Sequence, residues 1–327
     1  MTVLGAGAVW ATVLSILGSS RGAKIPTLPT FFIVGAAKSG TTSLYHYLSQ
    51  HPDIYMSPNK EPHWFSRIPY VPDRGSHPVY SEEEYLELFK GRTKESAIGE
   101  ASPSYLWDKE APYRIKEAIP HAKIIAILRH PVDRAYSHYM MDVRAGKQNL
   151  PFMEACERDY HAGNKGWGAS DQYIDLGFYA EQVQRYLEVF GRTQVKVFLY
   201  EDLRENAGAL LRSVFEFLEV DSGYADTIRT DMQYNKYSVP RNQLAKSILR
   251  SRLFRSRLAR ALRARAISNR QLRAQLRQSL LFRQEAKFTM DANSRRFLMN
   301  LYRADIQRLQ HLLDRDLGHW LQVEREN

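Results

Sequence analysis

Short apolar runs alternate along this chain with stretches whose apolar residues recur every three or four positions. The first run, Phe31–Val34, stops at Gly35, and helical spacing follows from Leu44 to Leu48. A short apolar run that ends at a glycine is typical of a buried strand, and the second pattern is typical of an amphipathic helix. The two patterns predict a strand, a short loop and a helix in direct succession.

The same alternation continues through the rest of the chain. Further strand patterns cover Ser96–Gly99, Lys123–Leu128 and Gln194–Tyr200. The nearly unbroken apolar character of Lys123–Leu128 is typical of a parallel strand that is buried on both faces. Strands that alternate with helices predict an α/β fold, namely a three-layer P-loop-like domain with a central parallel sheet, C-terminal capping helices and a ligand at the carboxyl ends of the strands.

Length and composition fit one domain of this kind. The chain has 327 residues, of which 44% are hydrophobic and 25% are charged, and these values are ordinary for a soluble domain with a full core. We assign residues 1–26 to an apolar N-terminal segment and residues 27–327 to a single domain with closing helices at 290–322. The only cysteine, Cys156, cannot form an internal disulfide, which favours a reducing compartment.

The loop after the first strand is rich in small and hydroxyl-bearing residues. It contains Lys38, Ser39, Gly40, Thr41 and Thr42. The backbone amides of such a loop and the N-terminus of the following helix point to one place and attract an anion. Nucleotide-binding P-loops have their lysine directly after the second glycine. Here Lys38 comes two residues before Gly40, so the loop matches an ATP site poorly.

A cation follows the predicted strand Lys123–Leu128. Many ATPases have a magnesium-binding aspartate near the end of the corresponding strand, whereas this chain has Arg129 there and Ser137 on the helix predicted next. An arginine offers a planar set of donors that matches phosphate oxygens. The position therefore favours direct binding of a phosphate. No metal is expected, because the sequence has no recognisable metal-ligand spacing.

Both segments resemble motifs of the sulfotransferases that use 3′-phosphoadenylyl sulfate (PAPS) as donor. Residues 38–42, K-S-G-T-T, are similar to the 5′-phosphosulfate loop of that family, and RHPVDRAYSHY, which begins at Arg129, resembles its 3′-phosphate motif. Further similarity covers KEPHWF (60–65), VFLYEDL (197–203) and the closing DRDLGHWL. Together these segments resemble the heparan-sulfate-type and bacterial branch of the family.

The resemblance implies roles for individual residues at the donor. Lys38 would bind the phosphosulfate and offset charge on the leaving phosphate, and residues 39–42 would hold the 5′-phosphate. Arg129 and Ser137 would hold the 3′-phosphate and so select this donor over ATP. These implied roles account for both segments that depart from the ATP pattern.

The adenine side of the donor is less well matched. Tyr200, which precedes Glu-Asp, is similar to a residue that meets the adenine in cytosolic relatives. Arg241 lies in NKYSVPR (235–241), in the region where the family closes a loop over the donor. The usual R-K-G or K-G-R triplet is absent from this segment. We retain Arg241 as a candidate donor-binding residue.

The acceptor side has its own candidates. The resemblance implies that Glu100, in GEASPSYLWD, is the general base that takes the acceptor proton, and His63 is the first alternative. Lys60 and His63 would lie near the acceptor mouth, although Lys60 also fits a structural ion pair. Trp167, in the Gly-rich stretch 163–170, would either stack on a sugar or anchor its own loop.

Positive charge is concentrated in one region near the C-terminus. The formal net charge is +10, and residues 246–287 alone contain eleven arginines and two lysines against one glutamate. With apolar residues at helical spacing, this pattern predicts a basic helical region at 245–287. It would bind an acidic glycan or an anionic membrane surface, or form a solvated face on the core. Nucleic acid is not expected, since no binding motif accompanies the arginines.

The N-terminal stretch 2–20 has no charged residue. Its length just allows a membrane span, but glycines and hydroxyl residues weaken this interpretation, and a helix packed on the domain or a disordered extension fits equally well. If the stretch spans, the basic Arg21 and Lys24 would keep the domain in the cytoplasm. We predict a cytoplasmic protein, with membrane association through residues 2–20 as an open alternative.

The resemblance implies a sulfotransferase that moves a sulfuryl group from PAPS to a hydroxyl or amine of an acceptor. The acceptor would be a glycan or glycolipid, or a small alcohol. Two alternatives remain open at this point. One is a P-loop NTP-dependent kinase, and the other is a non-catalytic protein that binds anionic glycan or lipid on the same fold.

Overall fold

The computed structural model describes residues 28–67, 78–167, 170–230 and 290–322, and only the backbone of 239–240 and 282–283. Within this part of the chain, a central sheet of five parallel strands has the order β2-β3-β1-β4-β5. These strands are β1 (Phe31–Gly35), β2 (Ile54–Met56), β3 (Ala97–Ala101), β4 (Lys123–Leu128) and β5 (Val195–Leu199). A separate antiparallel pair joins β6 (Val239–Pro240) to β7 (Phe282–Arg283).

Ten α-helices lie within the described residues. They are α1 (Thr41–Leu48), α2 (Glu82–Glu87), α3 (Ser104–Trp107), α4 (Ala111–Ala118), α5 (Pro131–Arg144), α6 (Phe152–Tyr160), α7 (Tyr179–Phe190), α8 (Tyr200–Glu205), α9 (Ala207–Leu218) and α10 (Ala292–Leu313). Short 3-10 turns cover Trp64–Ser66, Asp175–Gly177, Ser222–Asp226 and Gly318–Trp320. The alternation of strands and helices confirms the predicted α/β class.

The sheet is covered on both faces, because successive side chains of a strand point to opposite sides. Phe32 and Val34 of β1 pack in one cluster with residues of α5, α7 and α10. Phe31 and Ile33 pack in a second cluster with residues of α1 and α9. Each fully buried aliphatic or aromatic side chain contributes about 1.5–3 kcal/mol of transfer free energy. The three-layer architecture follows from these two apolar faces.

Strand β1 lies at the point where the connections of the sheet change direction. It pairs with β3 on one side and with β4 on the other. Helix α1, which follows β1, packs on one face, whereas α5, which follows β4, packs on the other. The crevice outside the carboxyl ends of two such strands is where open α/β sheets bind their ligands.

Two predicted strand ends differ from the structure. Parallel pairing of β3 with β1 puts Glu100 opposite Phe32, so Glu100 lies inside the strand and not after it. Strand β5 ends at Leu199, and Tyr200 begins α8. The carboxylate of Asp202 accepts a hydrogen bond of 2.9 Å from the Leu199 amide, and such a cap favours a helix start at this position.

The closing segment is one long helix followed by a turn, and not several helices. Helix α10 is capped by the Asp291 carboxylate, which accepts a hydrogen bond from the Ser294 amide at 2.9 Å. After the turn Gly318–Trp320, the buried Trp320 indole donates to Glu201 at 3.3 Å, and Arg315 binds both oxygens of Asp202. The C-terminus thereby fixes α8 against the carboxyl end of the sheet.

Several predictions lie outside the described residues. They concern the N-terminal segment 1–26, Arg241 and almost all of the basic region 245–287, of which only the strand Phe282–Arg283 is described. In the part of the chain that the structure describes, no helix is both long enough and apolar enough to cross a membrane. The division into segments stays a prediction.

Candidate functional site

The loop between β1 and α1 has the conformation of an anion cradle. Gly40 has a φ of 98°, and a Cβ at this position would lie 3.0 Å from side-chain atoms of Tyr200 and Leu203. Both facts favour glycine. No side chain of the described residues caps α1, so the first amides of the helix, from Thr41 and Thr42, lack intrahelical partners. These amides are available to an anion at the positive end of the helix dipole.

Lys38 lies in this loop among other cations. Its Nζ contacts the Met141 sulfur at 3.4 Å, and Arg129 Nη1 donates to the Lys38 backbone oxygen at 3.3 Å. Burial, followed by the positive charges of Arg144 and Arg129, lowers the pKa of Lys38 to about 8. A lysine whose protonated form is disfavoured by neighbouring cations would be stabilised in that form by an anionic ligand.

Arg129 connects the loop to the end of β5. Its guanidinium lies over the Tyr200 ring, 4.9 Å from the ring centroid, which is a favourable cation–π distance. Its backbone oxygen accepts a hydrogen bond from the Tyr179 hydroxyl at 2.9 Å. The structure therefore brings together Lys38, Gly40, Arg129 and Tyr200, four of the predicted donor-binding residues.

Helix α5 presents one face to the loop. Ser137, Met141 and Arg144 are four and then three residues apart, a spacing that puts them on the same face of a helix. Since Met141 contacts Lys38, this face is directed toward the loop. Ser137 lies one turn before that contact, and Arg144 about one turn after it. Ser39, which belongs to the loop itself, is fully buried.

The predicted base, Glu100, is enclosed by protein. Its side chain has no exposed surface. The Tyr85 hydroxyl donates to one of its oxygens at 2.6 Å, and the Ser102 hydroxyl donates to the other at 2.7 Å. Burial raises the pKa of Glu100 to about 7, although these hydrogen bonds act in the opposite direction. A base at this pKa suits neutral pH, but nothing outside the protein reaches its oxygens in this structure.

A second carboxylate, Glu61, lies between β2 and the 3-10 turn Trp64–Ser66. Lys60 Nζ donates to one of its oxygens at 2.5 Å, and His63 Nε2 lies 3.6 Å from the other. Burial alone would raise the pKa of Glu61, but His63 and Lys60 lower it to about 2. Its negative charge also raises the pKa of Lys38. Glu61 is therefore ionised, and 30% of its side chain is exposed.

His63 lies between the two carboxylates. Its ring is buried, with Nδ1 at 2.6 Å from the Ser104 hydroxyl. The indole of Trp167 covers the imidazole, with 5.7 Å between the ring centroids. The predicted acceptor residues Lys60 and His63 are thus brought together with Glu61 and Trp167.

Comparison with known proteins decides the family. A sequence profile of the sulfotransferase domain matches residues 28–260, which is more than half of the chain. The chain belongs to the sulfotransferase domain family. The resemblance drawn from the motifs is confirmed, and the assignment to a sulfotransferase enzyme with it. Neither the kinase nor the non-catalytic alternative finds support in these comparisons.

Individual sulfotransferases show how far the similarity extends. The crystal structure of a sulfotransferase from Alicyclobacillus acidocaldarius is 33% identical, with a TM-score of 0.69 over 90% of this chain and 100% of that one. Mouse carbohydrate sulfotransferase 15 is 31% identical over 60% of this chain and 45% of its own length. Human bifunctional heparan sulfate N-deacetylase/N-sulfotransferase 3 is 30% identical over 59% of this chain and 22% of its own length. The chain therefore spans less than half the length of these two relatives.

Sequence reasoning missed two charged residues that lie beside the predicted site residues. Glu61 stands inside KEPHWF between two residues that were singled out, and its ionic neighbours Lys60 and His63 were a usable signal. Arg144 follows Ser137 by seven residues, so the helical period alone puts it on the same face. Cys156, by contrast, is buried in α6 with its pKa raised to about 12 by burial, which makes it an unreactive thiol.

Proposed function

We propose that this sulfotransferase domain transfers a sulfuryl group from PAPS to a hydroxyl or amine of a glycan acceptor. The observation that carries the proposal is the position of Arg129. Its guanidinium lies beside the loop backbone and over the Tyr200 ring, at a strand end where a magnesium-dependent P-loop enzyme has an aspartate. A cation there suits a ligand with a second phosphate better than it suits magnesium-ATP.

The loop and its neighbours supply groups for each part of the donor. Amides of residues 39–42 would hold the 5′-phosphate, and Arg129 with Ser137 would hold the 3′-phosphate. Tyr200 would contact the adenine. Arg241 remains a predicted donor-binding residue.

The proposed reaction is an in-line displacement at sulfur. The acceptor oxygen or nitrogen forms a bond to sulfur while the bond from sulfur to the bridging phosphate oxygen breaks, and 3′,5′-bisphosphoadenosine leaves. Lys38 would stabilise the negative charge that develops on that oxygen, and such preorganised stabilisation is often the largest catalytic term. The acceptor gives up one proton, so a base is required.

Glu61 has better support for the role of base than Glu100. Its side chain is 30% exposed, and its charge acts on Lys38, whose pKa it raises. Glu100 has no exposed surface, and two hydroxyls occupy its oxygens. A general base must come within hydrogen-bonding reach of the proton that it removes. We therefore assign the role of base to Glu61. Glu100 remains the alternative base, and substitution of each residue distinguishes the two assignments.

The acceptor is proposed from the relatives and from the mouth of the site. The relatives are named for carbohydrate and heparan sulfate substrates, and Lys60, His63 and Trp167 offer a cation, an imidazole and an aromatic ring. Aromatic faces suit the apolar side of a sugar ring. A glycan is the favoured acceptor, ahead of a glycolipid or a small alcohol. Binding of residues 246–287 to an anionic membrane, and a cytoplasmic location, stay predictions.

The test is transfer of radiolabel from ³⁵S-labelled PAPS to a panel of de-N-sulfated heparan sulfate, chondroitin, glycolipids and small alcohols. We expect incorporation into at least one glycan by the native protein and almost none by Glu61→Gln. Glu117→Gln, a carboxylate-to-amide change at an exposed position of α4, is the matched control. If no acceptor gains label although PAPS binds, the proposed transfer is wrong.

A further inference from the structure

A buried polar cluster surrounds Glu100, and of its members only His63 is also a candidate acceptor residue. Its members are Glu100, Ser102, Ser104 and His63, together with the hydroxyl of Tyr85, and all are between 0% and 1% exposed. Buried polar groups at this density are retained only where they are mutually hydrogen-bonded. Such a network restrains the backbone segments that are hydrogen-bonded to it.

The cluster is attached to the segment that carries Glu61. Ser102 donates to Glu100 and also accepts a hydrogen bond from the His63 amide at 3.0 Å. The Glu61 amide donates to the Ala101 backbone oxygen at 3.0 Å. The residues on both sides of Pro62 are therefore anchored to the two residues that follow Glu100.

The anchored segment has an unfavourable backbone conformation. Glu61 has a φ of 71° and His63 a φ of 55°, both in the left-handed region that residues other than glycine rarely adopt. Such a conformation persists only where the surrounding contacts hold it. The contacts with Ala101 and Ser102 provide that restraint, and the resulting turn holds the Glu61 carboxylate beside Lys60 and His63.

We infer that Glu100 is a positioning residue for Glu61, and this inference rests on the proposed function of Glu61 as base. The two oxygens of Glu100 accept hydrogen bonds from the hydroxyls of Tyr85 and Ser102, at 2.6 Å and 2.7 Å. With the Ser102 proton directed to Glu100, the Ser102 oxygen keeps its lone pairs for the His63 amide. Glu100 thereby orients Ser102, and Ser102 holds the turn between Glu61 and His63.

The inference predicts which substitutions of Glu100 are tolerated. A glutamine in its place accepts from Ser102 through its carbonyl oxygen, and its amide group can donate to the Tyr85 oxygen, because a phenol also accepts hydrogen bonds. An alanine does neither, so Ser102 loses its fixed orientation. Glu100→Gln should therefore preserve the turn, and Glu100→Ala should release it. Ser102→Ala removes the acceptor of the His63 amide without a large cavity.

Hydrogen–deuterium exchange of the peptide that covers residues 57–66 tests the inference without an acceptor. We expect Glu100→Ala and Ser102→Ala to speed exchange of the Glu61 and His63 amides by about fivefold or more, since each change removes a restraining hydrogen bond. Exchange in β4 should stay unchanged. Glu100→Gln should match the native protein. Tyr55→Phe, which removes a 2.9 Å hydrogen bond to the Leu88 oxygen, is the control for loss of a hydroxyl outside the cluster.

Turnover of ³⁵S-labelled PAPS with the best acceptor of the panel supplies the functional readout. Glu100→Ala and Ser102→Ala should lower kcat by about tenfold at unchanged KM for PAPS, and Glu100→Gln should restore kcat. Native exchange in both Glu100→Ala and Ser102→Ala would overturn the inference. So would a loss in Glu100→Gln as large as that in Glu61→Gln with the turn intact, because Glu100 would then be the base itself. If the native protein bound no 3′,5′-bisphosphoadenosine, the proposed function would be refuted. The exchange comparison would still show whether Glu100 and Ser102 hold the turn between Glu61 and His63.

Discussion

The guanidinium of Arg129 lies over the aromatic ring of Tyr200, 4.9 Å from its centroid. The two residues follow adjacent parallel strands, β4 and β5. Arg129 also donates to the backbone of the Lys38 loop, so a single side chain links the ends of three strands. These contacts set the guanidinium and the aromatic ring relative to each other, as the proposed donor site requires.

Removal of the Tyr200 ring should weaken the donor site while the fold survives. Tyr200→Leu should lower the affinity for 3′,5′-bisphosphoadenosine by about 2-fold to 30-fold, since a cation–π contact is worth about 0.5–2 kcal/mol. Tyr200→Phe keeps the ring and is the matched control, with affinity expected within about twofold of native. Isothermal titration calorimetry gives both values. Equal losses in the two variants would show that the hydroxyl, and not the ring, matters.

The lowered pKa of Lys38, about 8, predicts a pH dependence of donor binding. As the pH rises from 7 to 9.5, Lys38 loses its proton and with it the attraction for an anion, so affinity for 3′,5′-bisphosphoadenosine should fall. The phosphates of the ligand are ionised throughout this range. Lys38→Arg should abolish most of the dependence, because arginine stays charged. The same decline in affinity with pH in Lys38→Arg would exclude Lys38 as its source.

Turnover should separate the two carboxylates. Glu61→Gln should reduce kcat by about 100-fold to 10,000-fold, the usual range for loss of a general base, while calorimetry shows unchanged binding of 3′,5′-bisphosphoadenosine. Glu100→Gln should keep kcat within a few-fold of native. The measurement is initial-rate transfer of ³⁵S label under saturating donor. Near-native turnover in Glu61→Gln would return the base role to Glu100 or to His63.

Glu100 should also affect stability in a pH-dependent way. Its pKa is raised from 4.5 to about 7 by burial among Tyr85, Ser102 and Tyr105. Between these two values the folded protein keeps a proton that the unfolded chain has released, so the contribution of Glu100 to stability is present below pH 4.5 and is lost as the pH rises to 7. Glu100→Gln has no such loss. Relative to native, its free energy of unfolding should rise by about 3 kcal/mol between pH 4.5 and 7.5.

Urea denaturation of both proteins at the two pH values measures this difference. Glu117→Gln, at an exposed position of α4, serves as a control for the loss of a carboxylate. A parallel pH dependence in native protein and Glu100→Gln would mean that Glu100 titrates near its ordinary pKa in the folded state.

The sequence was a good guide to the donor half of the molecule. Two parts of the fold could be predicted: the strand–loop–helix unit from Phe31 to Leu48 and the strand Lys123–Leu128. An unbroken apolar run that ends at small residues or at a single cation is compatible with few structures other than a buried strand. Chain order then brings the residues after β1 and β4 to the same sheet edge. For this reason Lys38 and Arg129 were predicted, from residues far apart in the chain, to share a site.

The acceptor half was harder to predict because burial depends on pairing between strands. Nothing near Glu100 in the sequence reveals that β3 continues to Ala101. Nor does it reveal that Tyr85, from helix α2, donates a hydrogen bond to the Glu100 carboxylate. Glu61 lies in a turn with left-handed residues, a conformation that local propensity argues against. Motif spacing singled out both segments, but only the fold shows that Glu100 is buried and that Glu61 is partly exposed.

The most direct test of the account is the comparison of nucleotides by calorimetry. If Arg129 and Ser137 hold a 3′-phosphate, 3′,5′-bisphosphoadenosine should bind about 10-fold to 150-fold more tightly than AMP, since a charge-assisted phosphate contact is worth about 1.5–3 kcal/mol. Arg129→Gln should remove most of this preference, whereas Arg212→Gln, in an exposed ion pair with Asp226, should leave it unchanged. Equal affinity for the two nucleotides, or tighter binding of magnesium-ATP, would contradict a PAPS-dependent sulfotransferase.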